Sequence, residues 1–111
     1  MLEAADYYKT VRGFHENGGT SFTFARQGAL ATWDAYAHAE TFLTQPLLVV
    51  IGDKPGAFAS YRLGMELFGR AASKERQLKV LEGVTHYELY DQPEATGKVL
   101  EAAVPFFRTH L

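Results

Sequence analysis

The stretch of this chain richest in reactive groups is Gly83-Val-Thr-His-Tyr-Glu-Leu-Tyr-Asp91. It follows a short apolar run, Leu78-Lys-Val-Leu-Glu82, and puts His86 in the loop beyond it. Open α/β sheets bind their ligands at the carboxyl ends of parallel strands, which is where such a loop lies. Asp53 stands just after a second apolar run, Leu47–Ile51, so the two loops are expected to be neighbours. An imidazole whose second nitrogen is held by a carboxylate is the base half of a Ser-His-Asp hydrolytic site. A histidine in an arbitrary loop is more often a surface or capping group. Asp53, next to Gly52, is equally suited to forming a turn or capping a helix.

Other polar groups carry less. Asp34 and His38 are four residues apart and would share a helix face as two metal ligands, but no third ligand accompanies them and this spacing more often marks a surface ion pair. His15 precedes Gly18-Gly19, which lacks the preceding buried strand and the Lys-Ser/Thr of a phosphate loop. With no cysteine, a disulfide scaffold, a thiolate zinc site and a cysteine nucleophile are excluded. No cofactor and no metal are expected. Tyr7, Tyr8, Phe14, Phe22, Phe24, Trp33 and Tyr36 concentrate aromatic surface in the first third, as core, interface or pocket lining.

The elements that position these groups follow from periodicity. Residues 2–10 have a helical pattern, and turn formers fill 13–21. Ser21-Phe-Thr-Phe24 alternates weakly as a strand would, and Ala29–Leu43 returns to helix. Pro46 introduces Leu47–Ile51, five large apolar residues ended by Gly52, which predicts a strand buried on both faces. A turn at 52–56, a helix over 57–72, a strand over 78–82, a loop over 84–93 and a helix from Pro93 to about His110 complete the chain. Pro105 should kink that last helix. A strand–helix–strand unit implies parallel strands, so the fold class is α/β. One domain is expected over 1–111, with a helical, cap-like segment over 1–45 and strand–helix–strand–helix over 46–111.

Composition agrees with a soluble protein. The 111 residues are 47% apolar and 22% charged, with a formal charge of −2, which gives no electrostatic case for nucleic acid or an acidic membrane. The apolar run 46–52 is far shorter than the roughly 20 residues of a membrane span. The first residues, Met1-Leu-Glu-Ala-Ala-Asp, lack the basic region of a signal peptide, so a cytoplasmic location is expected.

Four stretches together resemble the C-terminal part of an α/β-hydrolase of the dienelactone-hydrolase-like and peptidase-like group. They are Ala4-Ala-Asp-Tyr-Tyr-Lys-Thr-Val-Arg-Gly13, Pro46-Leu-Leu-Val-Val-Ile-Gly52, Glu82 through Asp91, and Pro105-Phe-Phe. The resemblance covers nearly the whole chain and implies a short parallel sheet of about two strands flanked by helices. It also implies that His86 is the triad histidine and that the loop after Gly52 carries the acid, with Asp53 the candidate. Two departures stand against the pattern. No serine has the Gly-x-Ser-x-Gly surroundings of a nucleophile elbow, neither Ser21, Ser60 nor Ser73. Pro55 and Gly56 occupy the positions where the family often places its aspartate. The expected function is therefore a hydrolase part acting on a small ester- or amide-type acyl substrate when completed, and inactive alone. The alternative is a non-enzymatic interaction or ligand-binding module. In either case two strands leave apolar edges open, so a homo-oligomer, most simply a dimer, is expected.

Overall fold

The computed structural model describes residues 2–18, 23–56 and 60–111. Among these the order is α1 (Leu2–Lys9), a 3-10 turn (Phe24–Arg26), α2 (Gln27–Thr32), α3 (Ala39–Phe42), β1 (Leu47–Gly52), α4 (Ser60–Arg70), β2 (Arg76–Leu81), α5 (Glu88–Asp91) and α6 (Pro93–His110). The two strands pair in parallel, from Leu47 opposite Arg76 to Gly52 opposite Leu81. The protein is thus of mixed α/β class, with a two-stranded parallel sheet among the described residues. By its contacts the chain divides into two units, Met1–Ala37 and His38–Leu111.

The second unit holds the sheet. β1 is apolar along its length because helices cover both of its faces. On one face Val49 and Ile51 are buried under α4, which approaches so closely that a Cβ on Gly64 would stand 2.5 Å from Ile51 Cγ2. On the other, Leu81, Val84 and Ala95 form a cluster with Val50, Leu89 and Val99, so α6 packs there. β2 differs, with Arg76, Gln77, Lys79 and Val80 exposed and Leu81 buried. The side chains of β1 therefore find cover within their own chain, and its backbone is paired along one edge. The Leu47 and Asp53 N–H groups donate toward β2, to the Glu75 and Leu81 carbonyls at 2.9 and 3.1 Å. By the alternation of a parallel ladder, the peptide groups of Leu48 and Val50 turn to the outer edge. Among the described residues no strand pairs with that edge.

Arg76 joins the end of α4 to the start of β2. Its guanidinium donates to the Phe68 and Ala71 carbonyls, both at 2.9 Å, and lies 5.2 Å from the Phe68 ring centre. A cation on the orphan carbonyls of a helix C-terminus satisfies acceptors and complements the helix dipole.

In the first unit α1 is followed by a loop tied to it. Arg12 pairs with Asp6 at 3.0 Å and lies 5.5 Å from the Tyr7 ring centre. No residue of α1 or α2 is buried, and Phe14, Phe24 and Trp33 are 64%, 90% and 70% exposed. These three aromatics are surface groups in this chain rather than core.

Two expectations are corrected. The helix expected over Ala29–Leu43 is broken between α2 and α3. The Asp34 carboxylate accepts the Tyr36 N–H at 2.8 Å, offering the backbone a turn in place of helix, and His38 adopts a left-handed φ of 66°. The Ala39 carbonyl then accepts the Ala72 N–H at 3.1 Å, so α3 belongs with the sheet-bearing unit. Residues 84–93 are not all loop, since α5 occupies 88–91. At Ser21–Phe24, where a strand is conceivable, Ser21 and Phe22 lie outside the described residues, and Phe24 opens the 3-10 turn. The start of the helix expected from Ala57 likewise lies outside them, and α4 is described from Ser60. α6 runs continuously through Pro105.

Candidate functional site

The loops leaving β1 and β2 are stitched together at the carboxyl end of the sheet. Asp53 N–H reaches the Leu81 carbonyl, Lys54 N–H reaches the Val84 carbonyl at 3.2 Å, and the Gly83 N–H donates to Asp53 Oδ1 at 2.7 Å. Two glycines allow this. Gly83 has φ +70°, a left-handed conformation that costs glycine little. Gly52 is pressed against the second loop, for a Cβ there would lie 2.1 Å from the Val84 carbonyl oxygen. Asp53 is therefore a loop tie, its Oδ1 taken by a backbone amide. Among the described residues no hydrogen bond or ion pair joins it to His86.

His86 is held by the turn that follows. Thr85 N–H donates to Glu88 Oε2 at 2.6 Å, and Glu88 N–H donates to Thr85 Oγ1 at 3.3 Å. This reciprocal pair is a capping box, which satisfies two orphan donors and starts a helical turn at His86. The spacing Thr85-x-x-Glu88 is the signal that reading 84–93 as loop passed over. Tyr87 anchors the turn, being 1% exposed, the most buried large side chain described. Its ring meets those of His86 and Tyr90 edge-on, at 5.4 and 5.3 Å between centroids. His86 itself is half-buried, and its Nε2 lies 2.7 Å from the Tyr90 hydroxyl. Neither Tyr87 nor Tyr90 stands out as a site residue from the sequence alone.

Beside these loops a cleft of about 270 Å³ is bordered by Glu82, Gly83, Glu88, Glu94 and Lys98. Lys98 reaches Glu94 at 2.7 Å, which holds the Glu94 carboxyl below and the Lys98 ammonium above their ordinary values. Three carboxylates face one ammonium there, so the cleft repels anions.

The remaining candidates do not come together. Asp34 lies outside any helix, and the helical face that would align it with His38 is absent. His15 Nδ1 accepts the Asn17 N–H at 3.1 Å and so closes its own turn. Ser73 Oγ is buried and donates to the Glu75 carbonyl at 2.9 Å, and Ser60 is the first described residue of α4. Ser21 lies outside the described residues. Among the described residues no cluster of three or more His, Asp or Glu could hold a metal ion, and no helix is long and apolar enough to cross a membrane.

No family model matches the chain. Over all 111 residues it is 31% identical to Uncharacterized protein YcjY of Escherichia coli (strain K12), of which it covers 35%. It is 25% identical over 114 positions to Uncharacterized protein PA2218 of Pseudomonas aeruginosa, again along its whole length and over 29% of that relative. The chain spans about a third of the length of the curated relatives it matches.

Proposed function

We propose that this chain is the C-terminal part of an α/β-hydrolase that cleaves an ester or amide when complete, with His86 as its general base. The observation that carries the reading is the seating of His86. A capping box sets it in the first turn after β2, at the carboxyl end of a parallel pair and bonded through its loop to the end of β1. Alignment along the full chain with a third of longer relatives agrees with a larger whole. In that whole, Nε2 of His86 would take the proton of a nucleophile hydroxyl as it attacks the acyl carbon, and return it to the leaving group. The nucleophile and the oxyanion donors would come from outside these residues. Asp53 already accepts the Gly83 amide at Oδ1, and its remaining lone pairs are what it could offer to His86 Nδ1.

Turnover of p-nitrophenyl acetate by the purified chain tests the half-site reading. The expected rate is that of free imidazole at equal concentration, because deleting the nucleophile and oxyanion donors removes most of the catalysis. Saturable turnover that His86→Ala abolishes would place a nucleophile within the chain, with Ser60 the first to examine, and would overturn it.

A second reading, a non-enzymatic module that forms a homodimer, is favoured by a different observation. Leu100, Val104 and Phe107 follow one another along one side of α6 and are 58%, 40% and 53% exposed. A second copy covering this stripe or the open edge of β1 would remove apolar surface that a monomer leaves in water.

A further inference from the structure

We propose that Tyr90 is a positioning residue for His86. Its phenol hydroxyl donates to Nε2 and thereby keeps the ring proton of the neutral imidazole on Nδ1, the tautomer that a histidine base needs. The inference rests on the assignment of His86 as general base, but its test does not.

The two side chains are placed by the same turn. His86 and Tyr90 are four residues apart, on one side of the helical turn that the Thr85–Glu88 box begins. Their rings meet edge-on with centroids 5.0 Å apart, and the buried Tyr87 ring touches both. Neither ring needs to reorganise for the 2.7 Å contact between Nε2 and the Tyr90 oxygen.

The direction of that bond follows from acid strength. A phenol is a far stronger acid than the N–H of neutral imidazole, and the bare imidazole nitrogen is a stronger base than a phenol oxygen. The hydroxyl therefore donates and Nε2 accepts, leaving the proton on Nδ1. Among the described residues Nδ1 has no hydrogen-bond partner, so nothing else in them fixes the tautomer. In a Ser-His-acid site the same form is required. Nδ1–H points at the acid, Nε2 presents its lone pair to the nucleophile, and the wrong tautomer costs about 10⁴-fold in rate. Tyr90 thus stands where the nucleophile's hydroxyl would donate. Tyr90 is 45% exposed, and it would have to turn toward solvent for that hydroxyl to take its place.

The test is ¹⁵N NMR of the side-chain nitrogens of His86 in the full chain, at a pH where the ring is neutral. The expected result is a protonated Nδ1 and a bare Nε2. In Tyr90→Phe, which keeps the aromatic packing, the ring should revert to the Nε2–H form that unconstrained histidine prefers. A wild-type ring protonated on Nε2 would overturn the proposal, because Tyr90 would then be the acceptor. So would an Nδ1–H ring unchanged in Tyr90→Phe. Should Tyr90→Phe not fold, a downfield Tyr90 hydroxyl proton correlated with Nε2 in the wild type decides for the proposal, and its absence decides against it. Loss of hydrolase activity in any larger assembly would leave these outcomes unaffected.

Discussion

Replacing Gly52 by alanine should pull apart the two loops that carry Asp53 and His86. The new methyl would meet the Val84 carbonyl oxygen at 2.1 Å and its carbon at 2.8 Å. Both are backbone atoms at the centre of the stitched loops, so neither can swing aside as a side-chain tip would. Forcing a methyl into a packed site costs about 1–3 kcal/mol. Moving Val84 also breaks the Lys54 N–H bond to its carbonyl, worth about 1 kcal/mol. The sum is about 2–4 kcal/mol, and at 4 °C or more per kcal/mol the unfolding midpoint should fall by about 10–20 °C. Gly97→Ala is the matched control. It sits inside α6 with nothing within 4 Å of the new Cβ, and alanine favours helix, so it should stabilise by up to about 1 kcal/mol. Thermal unfolding followed by circular dichroism compares the two directly. A Gly52→Ala midpoint within about 3 °C of wild type would refute the close approach and the loop geometry built on it.

Further expectations follow from other contacts. Arg76→Met should destabilise by about 1–2 kcal/mol in urea denaturation, since it strips the donor from the carbonyls ending α4 while keeping the aliphatic stem, and Arg76→Lys should recover little of it. The Glu94 carboxyl should titrate below an ordinary glutamate by NMR and return toward the usual value in Lys98→Met. Because its folded value is depressed, whatever stability the pair adds is present above the unfolded glutamate value and lost as pH falls through the lowered one. If the chain dimerises through its exposed α6 stripe, sedimentation equilibrium should give a dimer at micromolar concentration and a monomer for Phe107→Glu; a wild-type monomer rejects the dimer.

Much of the sheet-bearing unit was legible in the sequence. Pro46 and Gly52 bracket an apolar run too short for a helix, and Pro93 marks the start of α6, so the strand–helix–strand–helix order and the parallel pairing followed from punctuation and patterning. The break at residues 33–38 was not, because apolar spacing is blind to a side chain that captures a backbone amide, as Asp34 does for Tyr36. The site was legible in outline only. His86 and Asp53 could be placed on adjoining loops, but whether a carboxylate faces an imidazole or a neighbouring amide is decided by loop geometry. Here Gly83 at φ +70° turns its amide to Asp53. The Thr85-x-x-Glu88 box and the four-residue step from His86 to Tyr90 were written in the sequence, and they become informative only once the turn at 86–87 is seen to lead into the helix at 88–91.

If His86 serves a nucleophile outside these residues, the reactivity of a serine elsewhere depends on it. The direct measurement is the rate at which a fluorophosphonate labels a serine in a hybrid protein. There this chain replaces the aligned third of the E. coli relative, and wild-type hybrid is compared with His86→Gln. A labelled serine outside these 111 residues is expected, with a fall of about 10³-fold or more in its labelling rate on removing the base. A serine labelled equally fast in both proteins, or no labelled serine in a folded hybrid, would contradict it.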